Sequence, residues 1–522
     1  MQKHLFRCGA FALLFVLLYT GFGVAEQNQV GRLQGDVTDG IAWVLYSNGT
    51  ITVSGSAVPD NWMTGVTLLQ TNDGEYRKKI RRLEVADGVT AIGAGAFADL
   101  SGLESFSLGA GVMHIGANAF SRCTMLKKAE LSANLRQVDE YAFSGCTGLE
   151  NVVFGPNVES VGNEVFSGCT ALTDASFASN SVPEGALRNC TALRTVTLGE
   201  RVREIGANAF NGCTGLYSVA YADAKITAIG AGAFSGCTAL NRFELPPTLL
   251  RLGTYAFSDC TALTSVTIPP NVSRMDEYAF NGCTALTSVT FPESGDLHIY
   301  TGAFKGCTSL TEVVLTPAVY RVDGNAFANC SNLQQVVVNG QETMDSRVFF
   351  GCANLKEAII RGKAADGALK GCTSLEKITF DGSGATEVSQ EMCSGCTALK
   401  TIVWVTDSTM EQKKTAYITA IGQEAFFGCS ALTGVVLPEN ILTIGDQAFS
   451  GCTELKKVVL PKTLKTLGSA VFSGDMQVSG FGYRGTQDQW ERIDKAKANQ
   501  KTGVKSWYEH FARRYPAYES KE

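Results

Sequence analysis

The chain has 522 residues, with 44 Lys and Arg against 50 Asp and Glu and a formal net charge of −6. This mild acidic balance, without a basic stripe, argues against nucleic acid as a partner. Gly is abundant at 55 residues, which suits one or two tight corners in every unit of a repeating fold.

Residues 1–25 read as a secretory signal. Lys3 and Arg7 supply the positive start, Ala10–Tyr19 the apolar run, and Gly23–Val24–Ala25 a small-x-small cleavage site. The apolar run is too short for a membrane span, and Cys8 precedes it, which argues against a lipid-anchored cysteine. No second apolar stretch of spanning length follows, and Tyr515–Glu522 carries no apolar tail. The expected mature protein is exported, secreted or at the cell surface, without a membrane span.

Residues 26–80 lie outside the repeat that follows. Within them, Ala42–Tyr46 and Thr50–Val53 flank Asn48–Gly49, a two-residue turn signal, and predict a β-hairpin. Placed just before a repeat array, a hairpin suits an N-terminal cap over apolar surface that the first unit would otherwise expose.

From about 81 to 474 one pattern recurs. Its aromatic slot holds Phe97, Phe120, Phe143, Phe166, Leu187, Phe210, Phe234, Phe257, Phe280, Phe304, Phe327, Phe349, Leu369, Cys393, Phe426, Phe449 and Phe472, mostly at intervals of 22 to 24 residues. Such a period predicts a solenoid whose units bury their apolar faces against one another. In the unit starting at Cys260, Leu263, Val266 and Ile268 form a strand with the two β residues on one face, and Pro269 ends it. Val272, Met275, Ala279 and Phe280 bring the chain back, as extended structure turning into a short helical turn. About eight apolar positions per unit point inward. The expectation is a β-rich (α/β) solenoid of about 17 turns of about 23 residues with a long parallel sheet.

The pattern Ala-Phe-x-Gly-Cys-Thr-x-Leu-x-x-Val-x-Ile-Pro-x-x-Val-x-x-Ile-Gly resembles the BspA-like leucine-rich repeats, and Leu432–Phe449 comes close to that consensus. Trp43–Gly55 is similar to the hairpin common before these repeats, and Tyr483–Ile493 to their frequent tail. The resemblance covers about three quarters of the chain. It implies surface or secreted proteins of bacteria and some protozoa of mucosal surfaces, associated with adhesion to host matrix proteins and other cells.

The interval from Cys393 to Phe426, 33 residues, is about ten too long. The excess falls near Val405–Thr415 and reads as a tolerated surface loop or a binding loop. Residues 475–522 leave the repeat. Gln487–Lys501 predicts an amphipathic helix with Trp490 and Ile493 on one side, and Trp507, Tyr508 and Phe511 suit a docked C-terminal cap. Arg513 and Arg514 read as solvated.

Of 17 cysteines, Cys8 is in the signal and fifteen, from Cys123 to Cys452, sit three residues after the aromatic slot. Equivalent residues of adjacent turns lie within bridging distance, but their Cβ vectors are parallel, so a ladder of buried free thiols is favoured over disulfides. Cys393–Cys396 matches the C-x-x-C half-motif. Cys393 fills the aromatic slot and Cys396 the ladder position, so both are expected to face inward. Zinc would need a second pair or nearby histidines, and His4, His114, His298 and His510 are scattered. No metal, cofactor or catalytic residue is expected, and the flanks are too short for an ordinary enzyme domain.

The outward residue seven after each ladder cysteine changes along the chain. Early turns carry Glu130, Val153, Ser176, Thr197, Ala220, Glu244, Thr267 and Thr290. Later turns carry Val314, Val337, Ile359, Thr379, Val403, Val436 and Val459. The aliphatic ones, Val314, Val337, Ile359, Val403, Val436 and Val459, form a candidate partner-binding stripe, against the plainer explanation that Val and Ile favour strands. The expected function is non-catalytic binding of macromolecules through the extended sheet face: adhesion to host or neighbouring-cell surfaces, with host matrix proteins as candidate partners. The alternative is a structural, self-associating surface protein.

Overall fold

The computed structural model describes residues 33–34, 40–65, 75–152, 154–155, 157–221, 224–339, 343–362, 364–381, 386–405, 418–474 and 478–495. The signal stretch, most of the 405–415 insertion and the aromatic end from 496 to 522 fall outside them. The chain divides into two compact units, Met1–Gly199 and Glu200–Glu522.

In the first unit Ala42–Leu45 and Thr50–Ser54 pair antiparallel, with Trp43 opposite Val53 and Leu45 opposite Ile51. The hairpin loop has three residues, Ser47 to Gly49, instead of two. The Gly49 amide donates to the Tyr46 carbonyl at 3.0 Å, the Asn48 side chain accepts the Thr50 amide at 2.9 Å, and Gly49 alone takes the left-handed conformation, at φ 83°. That is a type I turn closed by one left-handed residue, a common three-residue hairpin. Thr50–Ser54 then runs parallel to Arg82–Val85, which continues in register to Ser105–Leu108 and Lys128–Glu130.

Most repeats give the stack a second strand; among the described residues the turn that ends at Leu369 has none. In the first unit Ala91–Ile92, His114–Ile115, Gln137–Val138 and Ser160–Val161 form a four-stranded parallel sheet. In the second, Glu204–Ile205, Ala228–Ile229, Arg251–Leu252, Arg274–Met275, Leu297–Ile299, Val319–Val322 and Thr343–Met344 follow one another the same way. The units are thus turns of a parallel β-solenoid with a wide sheet of three- to five-residue strands and a narrow sheet of mostly two-residue strands. The wide sheet of the second unit is divided, with two strands at Ser265–Thr267 and Ser288–Thr290, five from Glu312–Leu315 to Thr401–Val405 and three from Gly434–Val436 to Gly480–Tyr483.

The expected helical turn before each cysteine is absent. In its place stands a run of tight turns holding two left-handed residues, such as Tyr278 at φ 57° and Gly282 at φ 72°. The hydrogen bonds explain the change. The amides of Tyr278, Phe280 and Gly282 donate to Thr301, Ala303 and Lys305 of the next turn at 2.7–3.0 Å. Alternate amides are therefore committed along the stack and are lost to the i−4 carbonyls a helix would need.

The core follows the repeat. Cys260, Leu263, Val266, Ile268, Val272, Met275, Ala279 and Phe280 are all 0–4% exposed, the eight inward positions expected. The phenylalanines of successive turns stack face to face, as Phe257, Phe280 and Phe304 do at centroid distances of 5.2 and 5.3 Å. Trp62 meets Phe97 edge-on at 5.7 Å and starts that file in the first unit.

Near the C-terminus the helix expected over Gln487–Lys501 spans only Gln487–Glu491, with a capping box between Thr486 and Gln489. The chain then returns to the narrow sheet. Asp494–Lys495 pairs parallel with Thr466–Leu467, and the Asp494 amide donates to the Lys465 carbonyl at 2.8 Å. Trp490, the buried residue of the helix, packs against Phe481 and Tyr483.

Candidate functional site

The most faithful part of the repeat is fully employed in holding turns together. Ladder thiols point at the carbonyl of the aromatic-slot residue one turn back. The Sγ of Cys146 donates to Phe120 at 3.1 Å, Cys283 to Phe257 at 3.2 Å and Cys452 to Phe426 at 3.3 Å. The threonine after the cysteine donates to the carbonyl of its counterpart, as Thr238 does to Thr214 at 3.3 Å and Thr397 to Thr373 at 3.4 Å. Among the described residues all sixteen cysteines are buried and unbridged.

Burial pushes the Cys283 and Cys452 thiols up to about 12. At Cys393, hydrogen bonding to Cys396 and then burial drive the pKa well above its ordinary value. A redox or ligating cysteine needs an accessible thiolate, and both residues of this pair are fully buried, facing inward as their register required. Among the described residues no group of three or more His, Cys, Asp or Glu is placed to hold a metal ion. None of their helices is long and apolar enough to cross a membrane.

What remains for recognition is the outward face of each sheet. On the wide sheet of the second unit, parallel pairing aligns Val314, Val337, Ile359, Thr379 and Val403 in one unbroken column. Val314 is 39% exposed and the other four are half-buried by their neighbours. Val436 and Val459 are in register with each other and then meet Gly482 on the next strand. The six stripe residues therefore fall into a group of four around Thr379 and a separate pair. The early-turn positions Glu130, Thr197, Glu244, Thr267 and Thr290 are exposed and polar.

A second column on the narrow sheet was not anticipated. Arg251, Arg274, His298 and Arg321 are aligned strand to strand. Beneath them Asp276, with its side chain 2% exposed, accepts from Arg251 at 2.8 Å and from Arg274. Asp323 accepts from His298 at 2.9 Å and Arg321 at 2.7 Å. The hydrogen bond to Asp276 is the main reason the Arg274 pKa rises, and Asp323 does the same for Arg321. Arg274 also lies over the Tyr300 ring at 4.7 Å. The sequence signal for this column is the residue six before the aromatic slot, visible once the second half of the repeat is read as a strand. Its charges are largely neutralised in place, so it serves to lock neighbouring turns.

The family described as "BspA type Leucine rich repeat region (6 copies)" matches residues 75–191, 180–297, 297–416 and 419–483. No curated protein matches the chain. Among solved structures, a leucine-rich repeat protein from Bacteroides ovatus is 20% identical over 89% of this chain and 98% of its own, with a TM-score of 0.46. The pneumococcal vaccine antigen PcpA is 18% identical over 72% of this chain and 99% of its own, with a TM-score of 0.44. A leucine rich cell surface protein from Faecalibacterium prausnitzii is 18% identical over 88% and 97%, with a TM-score of 0.25.

Proposed function

Because the chain belongs to the BspA-type leucine-rich-repeat family, we propose that it is an exported, non-catalytic scaffold that binds macromolecules through the outward face of its wide sheet, in adhesion to host or neighbouring-cell surfaces. The observation that carries this reading is the aligned column Val314, Val337, Ile359, Thr379 and Val403. Beta-branched residues suit any strand, yet strand propensity is equally served by threonine, which fills Thr267 and Thr290 at the same position of earlier turns. An outward aliphatic file with a polar border has the composition of a contact surface. A rigid repeat adds many weak contacts along its length, which suits attachment better than catalysis.

The test is a pull-down of host matrix proteins by the purified chain and by its Val337→Asp, Val403→Asp double variant. Both substitutions sit on the outward face, and circular dichroism with a thermal melt checks that the variant is folded. Binding reduced about tenfold or more supports the face, since two charges are placed in an apolar contact. Unchanged binding by the folded variant sinks it.

A further inference from the structure

The border of this column carries a pattern of its own. On one side of the central aliphatic or threonine stand, in strand order, Glu312, Gln335, Glu357, Lys377 and Thr401. On the other side the first strand offers nothing exposed, because Thr316 is buried, and the next four carry Asn339, Arg361, Asp381 and Val405. Within the chain these charges pair with neighbouring strands. Lys377 reaches Glu357 at 2.8 Å, and Arg361 reaches Asp381 at 3.1 Å and Asn339 at 2.8 Å. On each strand that carries two border charges, the charges are opposite in sign: Glu357 with Arg361, and Lys377 with Asp381.

From this we infer that the occupant of the face is a second copy of the chain, docked face to face about a two-fold axis parallel to the direction in which the strands stack. The inference rests on the proposed use of this face as a contact surface and names the partner. A dyad in that direction leaves every strand opposite its own counterpart and exchanges the two borders. Glu357 then faces Arg361 of the other copy, Lys377 faces Asp381, and Gln335 faces Asn339. The central column meets itself: Val314, Val337, Ile359, Thr379 and Val403 each oppose the same residue. No like charges meet. The other in-plane dyad, parallel to the strands and passing through the central strand, sets Glu357 against Glu357 and Arg361 against Arg361, a like-charge arrangement that complementarity disfavours. The pattern selects one orientation of a self-complementary surface.

The size of the patch sets the affinity. Five strands about 4.8 Å apart, with outward residues about 6.8 Å apart along each, span roughly 20 by 14 Å, about 300 Å² per copy. A stable complex buries about 800 Å² per partner. The dimer is therefore weak, with a Kd on the order of 100 µM, and depends on the high local concentration of copies displayed on one surface.

The test uses sedimentation velocity on the purified chain and on two single variants, Arg361→Glu and Glu357→Arg. The wild-type chain associates reversibly to a dimer as its concentration rises towards about 1 mM. Each variant alone places like charges together twice in the symmetric dimer, and its association is weaker by about tenfold or more. An equimolar mixture of the two restores dimers. The glutamate introduced at position 361 of one chain then meets the arginine introduced at position 357 of the other, and the second pair is the wild-type Glu357 against Arg361. This rescue also shows that both variants are folded. Three results overturn the inference: a wild-type chain that stays monomeric to about 1 mM, variants that dimerise like wild type, or a mixture that remains monomeric. A monomer that still loses matrix binding through Val337→Asp with Val403→Asp removes the second copy as occupant and leaves the face as a binding surface.

Discussion

The Sγ of Cys283 donates a hydrogen bond to the carbonyl oxygen of Phe257, 3.2 Å away and one turn back. The two residues join the polar and aromatic files of the core at one point. The thiol satisfies a buried carbonyl that parallel stacking leaves with spare acceptor capacity, and its small volume leaves room for the stacked rings. Bridging two such thiols would remove both donors and require Cβ vectors to converge that the stack holds parallel.

Sixteen thiols between Cys123 and Cys452 are therefore expected to be inert in the native protein and titratable after unfolding. A thiol reagent added without reductant should react with none of them in buffer and with all sixteen in denaturant. Near-zero reaction in denaturant would mean disulfides.

Buried thiols also set an alkaline limit. Cys283 rises from an ordinary 9.0 to about 12 because burial disfavours its thiolate. Below about pH 9 folded and unfolded chains both hold the proton, and the stabilising contribution is complete. Above it only the unfolded chain releases the proton, so stability falls as pH rises, by about 1.4 kcal/mol per pH unit for this thiol, until the folded pKa is passed. Denaturant unfolding between about pH 9 and 10 should show a shallower fall for Cys283→Ala than for wild type, by about one proton. Equal slopes would refute the assignment.

Removal of a ring from the aromatic file should be costly but local. Phe280→Ala empties a site between Phe257 and Phe304, both within 5.3 Å, and should destabilise by about 3–5 kcal/mol. Because a turn packs only on its neighbours, hydrogen exchange should rise first in the turns holding Phe257 and Phe304. A uniform rise along the chain would show a single cooperative unit instead.

The carboxylate of Asp276 holds Arg251 and Arg274 across adjacent narrow strands. The carboxylate is buried, but both arginines remain about half exposed and regain water when released. Asp276→Asn should thus cost about 1–2 kcal/mol, less than the loss of a fully buried pair. The difference from wild type should shrink in high salt, where the exposed arginines are screened. A salt-independent difference in urea unfolding would show that packing dominates.

The inward positions were legible because one-dimensional stacking writes the same environment at the same offset in every turn. Phe280, Cys283 and Leu286 recur for that reason, and all three are buried. The second half of the turn was legible as extended chain but not as a paired narrow sheet, since a two-residue strand such as Arg274–Met275 carries no alternation long enough to show its pairing. The helix read through Lys501 failed because Asp494 finds a strand partner in Thr466 that local spacing cannot reveal.

The sequence by itself determined the solenoid, its inward spine and the register of its turns, because a fixed period forces each residue against its own counterpart. Only the tertiary structure decided which outward residues stand side by side. It kept Val314, Val337, Ile359 and Val403 together around Thr379 and set Val436 and Val459 apart. It placed Glu357 and Arg361 on opposite borders of one column, and it buried Asp276 beneath two arginines. Those relations depend on hydrogen bonds between strands twenty or more residues apart in the chain, and no local pattern encodes where such ladders run unbroken.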